Sequence, residues 1–212
     1  MNKVFFFFSA IAFNICAQNT SLEVISKSTK NLEISFTTGD IEFRKTEKNL
    51  QLYTEINVSG FSKSYDIGSP DLPIYSKLIE IPSSGDVSIS IINKSETYVE
   101  LTDLGFFDKL IPSQRSISKS EDPNAVDFYE NDNIYSKDDF YENDIISIER
   151  LGVMRERTIA QIKISPFAYN PISNTLKVID DLEFKVEYSS NIKPHNNAYY
   201  SIAYEANFSK LI

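Results

Sequence analysis

The sequence has few of the residues that carry covalent and metal chemistry. It contains one cysteine, Cys16, one histidine, His195, and no tryptophan in 212 residues. Thiol catalysis needs a thiolate beside a histidine, and a structural zinc site needs several Cys or His ligands. Because Cys16 lies close to the N-terminus, the rest of the chain has no thiol catalysis, no disulfide cross-link and no thiolate metal site.

The sequence also lacks the glycine patterns of common active sites. Its six glycines are scattered singly, with no phosphate-binding loop and no Gly-x-Ser-x-Gly elbow. A serine triad would have to use His195, which lies in a polar, linker-like stretch. Paired-carboxylate hydrolysis stays open on residue types alone, although no acidic pair stands out. We therefore expect no enzyme activity and no cofactor.

Basic residues are outnumbered, with 21 Lys and Arg against 30 Asp and Glu and a net charge of −9. Binding to nucleic acid or to an anionic membrane requires clustered basic residues. The acidic balance argues against both of these partners. Neutral or locally basic partners fit the charge better.

Only the N-terminus has a long apolar run. Lys3 precedes the apolar segment Val4–Ala12, and Ala17 follows Cys16 before polar residues begin. This order predicts a secretory signal peptide over residues 1–17, cleaved after Ala17. The run is too short for a membrane anchor, which needs about 20 residues. A lipoprotein signal with Cys16 as the acylated residue is disfavoured because Ile15 is not small.

Alternating apolar and polar residues recur through the rest of the chain. This period is typical of half-buried antiparallel strands. Turn-forming residues follow at 69–71, 82–86 and 170–174. No sustained helical spacing is present, so we predict few, short helices and an all-β, antiparallel β-sandwich or jelly-roll-like domain over residues 18–190. The predicted strands include 32–36, 87–91, 98–101, 160–164 and 182–188.

Residues 112–144 interrupt this pattern with a long insertion that has no glycine. The hexapeptide Asp-Phe-Tyr-Glu-Asn-Asp occurs in it twice, at 127–132 and 139–144. Long insertions inside compact domains are often functional. The repeats offer many carboxylates but lack the alternating ligands and the glycine of a calcium-binding EF-hand loop. We interpret the two copies as a solvated acidic strand pair rather than a metal site.

The last residues differ in composition from the predicted domain. Residues 191–197 are polar and contain Pro194, as in a linker, and a short amphipathic segment follows. We interpret residues 191–212 as a linker and the start of a missing downstream region.

Three segments carry a resemblance to a known family. They are Gly-Ser-Pro-Asp-Leu-Pro at the start of 68–82, Leu-Gly-Val-Met-Arg at 151–155, and Pro-Phe-Ala-Tyr-Asn-Pro at 166–171. In order and spacing, over about residues 60–190, they resemble the N-terminal propeptide of gingipain-type (family C25) cysteine peptidases. The resemblance implies an intramolecular inhibitor and a folding and secretion chaperone. Its partner would be the cognate C25 catalytic domain, in cis or in trans, and its destination the periplasm and then the cell surface or exterior by a type IX route.

The resemblance also implies a basic inhibitory residue. Gingipain-type peptidases cut after Arg or Lys, so a basic side chain on an exposed loop would occupy the acidic S1 pocket. In the family this residue lies just before Glu-Asp-Pro, and the matching position is Lys119. Arg115 is the second candidate. Arg155 and Arg157 are further alternatives, although they precede a regular strand and could pair with acidic neighbours.

Two other classes of function remain open on the residues. A free-standing secreted β-sandwich that binds carbohydrate or protein would need exposed aromatic residues, which the 12 tyrosines could supply. The lack of tryptophan counts against that function, and burial of most tyrosines would remove it. A secreted structural or surface protein is the other class. A peptidase domain encoded downstream would exclude both.

Overall fold

The computed structural model describes residues 19–121 and 126–192. The predicted signal peptide, residues 1–17, lies outside the described residues, and so does nearly all of the predicted linker region, 191–212. Cys16 and His195 are among the residues not described. The predicted domain boundaries stay predictions.

Strands dominate the described residues, and helices are few and short. A 3₁₀ helix covers Leu101–Leu104 and the helix α1 covers Asp132–Tyr135. The strands are β1 (Ser21–Lys27), β2 (Asn31–Thr37), β3 (Ile41–Lys48), β4 (Gln51–Val58), β5 (Tyr75–Ile81), β6 (Val87–Glu100), β7 (Tyr141–Glu142), β8 (Ile146–Met154), β9 (Arg157–Ile164), β10 (Phe167–Asn170) and β11 (Thr175–Tyr188).

The strand β11 organises the largest sheet. Along one edge it pairs with β6 over nearly its whole length. Along its other edge it pairs first with β10 and then with β2, and all three partners are antiparallel. β1 and β7 complete this six-stranded sheet, while β5, β9 and β8 form a separate three-stranded sheet and β3 and β4 form a hairpin.

The main core lies between the six-stranded and the three-stranded sheets. Alternate residues of β2 and β11 face inward and oppose each other in register, as in the pairs Ile34 with Phe184 and Phe36 with Leu182. Ile79 of β5 and Ile162 of β9 belong to the same buried cluster. The predicted antiparallel, all-β sandwich-like fold is confirmed.

A second core supports the hairpin β3–β4. Ile56 and Val58 of β4 pack in a cluster with Tyr169 of β10 and Leu176 of β11. Leu110, two residues before the long insertion, belongs to this cluster and is buried. The chain is therefore anchored in the second core just before the insertion begins.

Two details differ from the sequence predictions. The segments 87–91 and 98–101 are parts of one long strand, β6, which ends at Glu100, because its pairing with β11 continues across both. The predicted acidic strand pair is wrong. The first repeat, 127–132, is irregular up to the first residue of α1, and in the second only Tyr141–Glu142 form a strand, which pairs with β10.

Candidate functional site

The two basic residues singled out in the insertion lie on one exposed loop. This loop, residues 113–131, connects the isolated bridge between Pro70 and Pro112 to α1. It is described except for residues 122–125. Arg115 and Lys119 are both exposed on it. We call it the 113–131 loop.

Lys119 occupies the tip of a tight turn in this loop. The backbone N–H of Glu121 donates to the carbonyl of Ser118 at 3.0 Å and closes the turn around Lys119 and Ser120. The Glu121 carboxylate accepts from the backbone N–H of Ser118 at 2.9 Å. Lys119 is exposed and makes no hydrogen bond or ion pair with another described residue.

Arg115 is held by the same carboxylate. Its two terminal nitrogens, Nη1 and Nη2, donate to the two oxygens of Glu121 at 3.1 and 3.0 Å. Hydrogen bonding to this guanidinium holds the pKa of Glu121 below its usual range. The structure thus gives the two candidates different settings: Arg115 is paired with Glu121, and Lys119 is exposed without a partner among the described residues.

The side chain of Gln114 closes the base of the loop. Its Nε2 donates to the carbonyl of Tyr129 at 2.8 Å, and its Oε1 accepts from the N–H of Tyr129 at 2.9 Å. Nε2 also lies 3.1 Å from the carbonyl of Pro112. An amide side chain here satisfies both backbone groups of Tyr129, as a neighbouring strand would.

The Gly-Ser-Pro-Asp segment holds both ends of the loop. The N–H of Gly68 donates to the carbonyl of Ser113 at 2.8 Å, and the carbonyl of Gly68 accepts from the N–H of Asn131 at 3.0 Å. Gly68 has φ +84°, and a Cβ there would collide with the ring of Tyr129. Glycine is therefore required by both the backbone and the space.

Asp71, in the same segment, connects the base of the loop to the β4 region. Its carboxylate is buried, accepts from the N–H of Ser64 at 2.9 Å and lies 3.4 Å from Nζ of Lys63. Burial raises the pKa of Asp71 despite these partners. Lys63 also donates to Glu55 of β4 at 2.6 Å.

An open cavity of about 770 Å³ lies beside the 113–131 loop. Its walls come from the end of the β3–β4 hairpin, the segment 63–67 and the loop itself. Tyr65 and Ile67 are 77% and 51% exposed, and Ile117 is 43% exposed. The loop is thus bordered by apolar side chains that have no cover among the described residues.

Known proteins resemble this chain in sequence and in fold. The profile of the family Propeptide_C25 matches residues 16–204. The chain belongs to the Propeptide_C25 family. Lys-gingipain of Porphyromonas gingivalis is 30% identical over 172 residues, which are 81% of this chain and 10% of the relative. Gingipain R1 of the same organism is 22% identical over 152 residues, 71% of this chain and 14% of the relative. The matched part of the chain therefore spans 10% to 14% of the length of these relatives.

Solved structures agree with this family. A solved structure that concerns the zymogenic latency of gingipain K from P. gingivalis superposes on this chain with a TM-score of 0.76 at 30% identity. The superposition covers 83% of this chain and 96% of the other. A complex of the pro- and mature domains of P. gingivalis RgpB gives a TM-score of 0.73 at 15% identity, covering 90% and 95%, and shares the fold. The chain is a propeptide domain of a C25 cysteine peptidase and not the catalytic domain.

The other sequence candidates in this propeptide lie elsewhere. Arg155 has positive φ in the turn that joins β8 to β9 in the three-stranded sheet. Arg157 is largely buried and donates to Glu80 at 2.9 Å. Both residues are engaged with neighbours. In the described part of the chain, no group of three or more Asp, Glu, His or Cys side chains could hold a metal ion.

The tyrosines and the apolar surface bear on the remaining alternatives. Of the described tyrosines, Tyr65, Tyr98 and Tyr129 are mostly exposed, and they lie on separate segments. Tyr53, Tyr135, Tyr169 and Tyr188 are buried. This arrangement does not favour a flat carbohydrate-binding platform. In residues 19–121 and 126–192, no helix has the length and apolarity to cross a membrane.

Sequence reasoning missed three residues of this site. The sequence indicates Glu121 only as part of the Glu-Asp-Pro context, and Gly68 only as part of a segment that carries the family resemblance, although Gly68 binds both ends of the loop. Gln114 had no signal at all, because its partner Tyr129 lies 15 residues further along the chain. The glycine before Ser-Pro-Asp was the one signal that could have indicated a close approach of another segment.

Proposed function

We propose that this propeptide is the inhibitory prodomain of a secreted, gingipain-like cysteine peptidase and that Lys119 occupies the S1 pocket of the catalytic domain. The single observation that carries the proposal is the exposed position of Lys119 at the tip of a closed turn. The membership of the Propeptide_C25 family supports a peptidase as the partner.

The chemistry of the pocket favours this side chain. A peptidase that cuts after Lys or Arg needs an acidic group in a partly desolvated pocket. A basic residue that enters it forms a charge-assisted contact and supplies a large share of the binding energy. Lys119 can leave water for this pocket without breaking any contact to a described residue.

Lysine also favours one type of cognate peptidase. A single ammonium cannot reproduce the bidentate fork of a guanidinium. We therefore propose that the cognate enzyme prefers lysine or accepts both residues. Arg115 is the weaker candidate for the pocket, because entry would break its two hydrogen bonds to Glu121.

We further propose that the prodomain assists folding and secretion of its peptidase. A partner that binds the native form and not the unfolded form stabilises the native form by mass action. The signal-peptide pattern of residues 1–17 supports export across the inner membrane. The cell surface or the exterior is the proposed destination.

The test is inhibition of purified Lys-gingipain and gingipain R1 by the full chain, expressed for export, and by its Lys119→Ala variant. We expect inhibition of Lys-gingipain by the wild type. We expect a loss of at least tenfold in the variant, about 1.4 kcal/mol.

The variant Lys119→Arg separates charge from shape. It should keep inhibition and shift it toward gingipain R1. If the wild-type chain inhibits neither peptidase, the inhibitory function is wrong and a binding-module function takes its place. If Lys119→Ala inhibits as well as the wild type, Lys119 is not the pocket residue.

A further inference from the structure

We infer that Arg115 and Glu121 are positioning residues that hold Lys119 in one bound-like conformation, and that this restraint makes the loop a poor substrate for the peptidase it blocks. This inference rests on the proposed role of Lys119. It assigns Arg115 to the support of the tip and not to the pocket.

The restraint begins with the backbone around Lys119. Glu121 binds both backbone groups of Ser118, accepting its N–H with the carboxylate and donating its own N–H to the carbonyl. The peptide bond between Lys119 and Ser120 therefore lies inside a ring closed by two hydrogen bonds. The hydroxyls of Ser118 and Ser120 are also 3.0 Å apart, a third contact across the turn.

Arg115 fixes the orientation of the Glu121 carboxylate. A carboxylate that accepts only from Ser118 could rotate, whereas a bidentate guanidinium defines its plane. Arg115 can serve in this way because Gln114, its neighbour, is clamped to Tyr129 at the base of the loop. The support thus runs from the base through Arg115 and Glu121 to the turn that carries Lys119.

The ion pair between Arg115 and Glu121 contributes little to the stability of the folded protein. The side chains of Arg115 and Glu121 are 47% and 41% exposed, and ion pairs between exposed side chains contribute little to folding. A pair that adds little to folding can still order a loop before it binds. A loop already ordered in its bound form loses less conformational entropy on binding, which raises affinity.

The same restraint opposes cleavage. Hydrolysis of the Lys119–Ser120 amide by the peptidase adds one water and leaves a carboxylate on Lys119 and an amine on Ser120. Attack requires the amide to deform toward a tetrahedral carbon, which the closed ring resists. After a cut, Ser118 and Glu121 still hold the two new ends together. Without the ring, the loop would bind as an ordinary flexible substrate.

The experiment compares four variants of the full exported chain against Lys-gingipain: Glu121→Gln, Arg115→Gln, the double variant, and Lys119→Ala. Gln at 121 keeps an oxygen for the N–H of Ser118 and loses the charge that binds Arg115. Three readouts are taken: the inhibition constant, the rate of cleavage after Lys119 by mass spectrometry, and the thermal midpoint.

We expect each single positioning variant to inhibit about tenfold more weakly and to be cut at Lys119 at least tenfold faster, with an unchanged thermal midpoint. The double variant should inhibit no more weakly, and be cut no faster, than the more impaired of the two single variants. Both changes remove the same ion pair, so their effects should not add. The matched control is Glu149→Gln, which removes a 2.9 Å pair with Lys163 on the three-stranded sheet. It should change none of the three readouts.

The outcomes separate this inference from the function beneath it. If Lys119→Ala loses inhibition while Glu121→Gln inhibits and resists cleavage like the wild type, the positioning role is wrong and the pocket residue stands. If Arg115→Gln loses inhibition and Glu121→Gln, which frees Arg115, gains it, Arg115 is the pocket residue. If Lys119→Ala still inhibits, both the pocket role and the positioning inference are wrong.

Discussion

At the scale of single residues, Gly68 shows how one position can serve the fold and the site together. Its backbone hydrogen-bonds both ends of the 113–131 loop, and the ring of Tyr129 fills the space where a side chain would begin. Gly60 has the same φ of +84°, yet a Cβ there would meet nothing within 4 Å. The two glycines therefore form a matched pair.

We expect Gly60→Ala to cost about 1 kcal/mol of stability, the strain of a left-handed alanine. Gly68→Ala should cost clearly more, because the ring of Tyr129 must move and the backbone nitrogen of Asn131 lies only 3.3 Å from the added Cβ. It should also weaken inhibition of Lys-gingipain, which Gly60→Ala should leave unchanged. Urea unfolding and the inhibition constant test both expectations. Equal stability loss in the two variants would contradict the role assigned to Tyr129.

At the scale of elements, β11 joins the whole sheet. It pairs with β6 on one edge and with β2 and β10 on the other, and its buried residues alternate with exposed or half-buried ones on both sides of an irregularity at 179–181. The exposed positions on β6 lie at the surface of the same sheet. Loss of a core side chain from β11 should therefore lower the stability of the whole domain, whereas loss of an exposed side chain from β6 should change it little.

Phe184→Ala tests this difference. Phe184 is fully buried between the two sheets, and its removal leaves a cavity, so we expect a loss of about 3–5 kcal/mol. The control, Ile92→Ala on β6, removes a side chain that is 55% exposed and should cost under about 1 kcal/mol. Urea unfolding of the two variants gives both values. Similar losses would mean that the core does not lie where the structure has it.

At the scale of the whole molecule, buried tyrosines make stability depend on alkaline pH. Burial raises the pKa of Tyr53, Tyr169 and Tyr188 to about 12 each, above the unfolded value of about 10. Because the pKa is higher in the folded state, the contribution of these tyrosines to the free energy of unfolding is complete below about pH 10. It is lost as the pH rises through 12, because the unfolded chain releases these protons first.

We therefore expect the free energy of unfolding to fall steeply between about pH 10 and 12, by about 1.4 kcal/mol per pH unit for each such tyrosine. Urea unfolding at a series of pH values measures the slope, and Tyr169→Phe should reduce it. Added salt screens repulsion between surface charges and should leave most of the slope in place. A slope that salt abolishes would show that net charge, and not burial, is responsible.

Much of the β framework could be predicted from the sequence. The alternation at Leu32, Ile34 and Phe36 indicated a strand with one buried face, and the structure has these residues in the core. Alternation depends only on the local geometry of a strand, so it can be read without the fold. The acidic repeats were misinterpreted for the opposite reason. Their conformation depends on which segments pair with them, and Tyr141–Glu142 pair with β10 rather than with the other repeat.

The sequence by itself determined the all-β class, the lack of a thiol outside the first 17 residues, and the presence of two basic residues, Arg115 and Lys119, in the insertion. These follow from composition and from short-range periodicity. Only the tertiary structure decided that Gly68, Gln114 and Tyr129 support one loop, and that Glu121 binds Arg115 while Lys119 is exposed without a partner among the described residues. The physical reason is that hydrogen bonds between distant segments depend on where the chain returns in space, and local sequence does not encode that return.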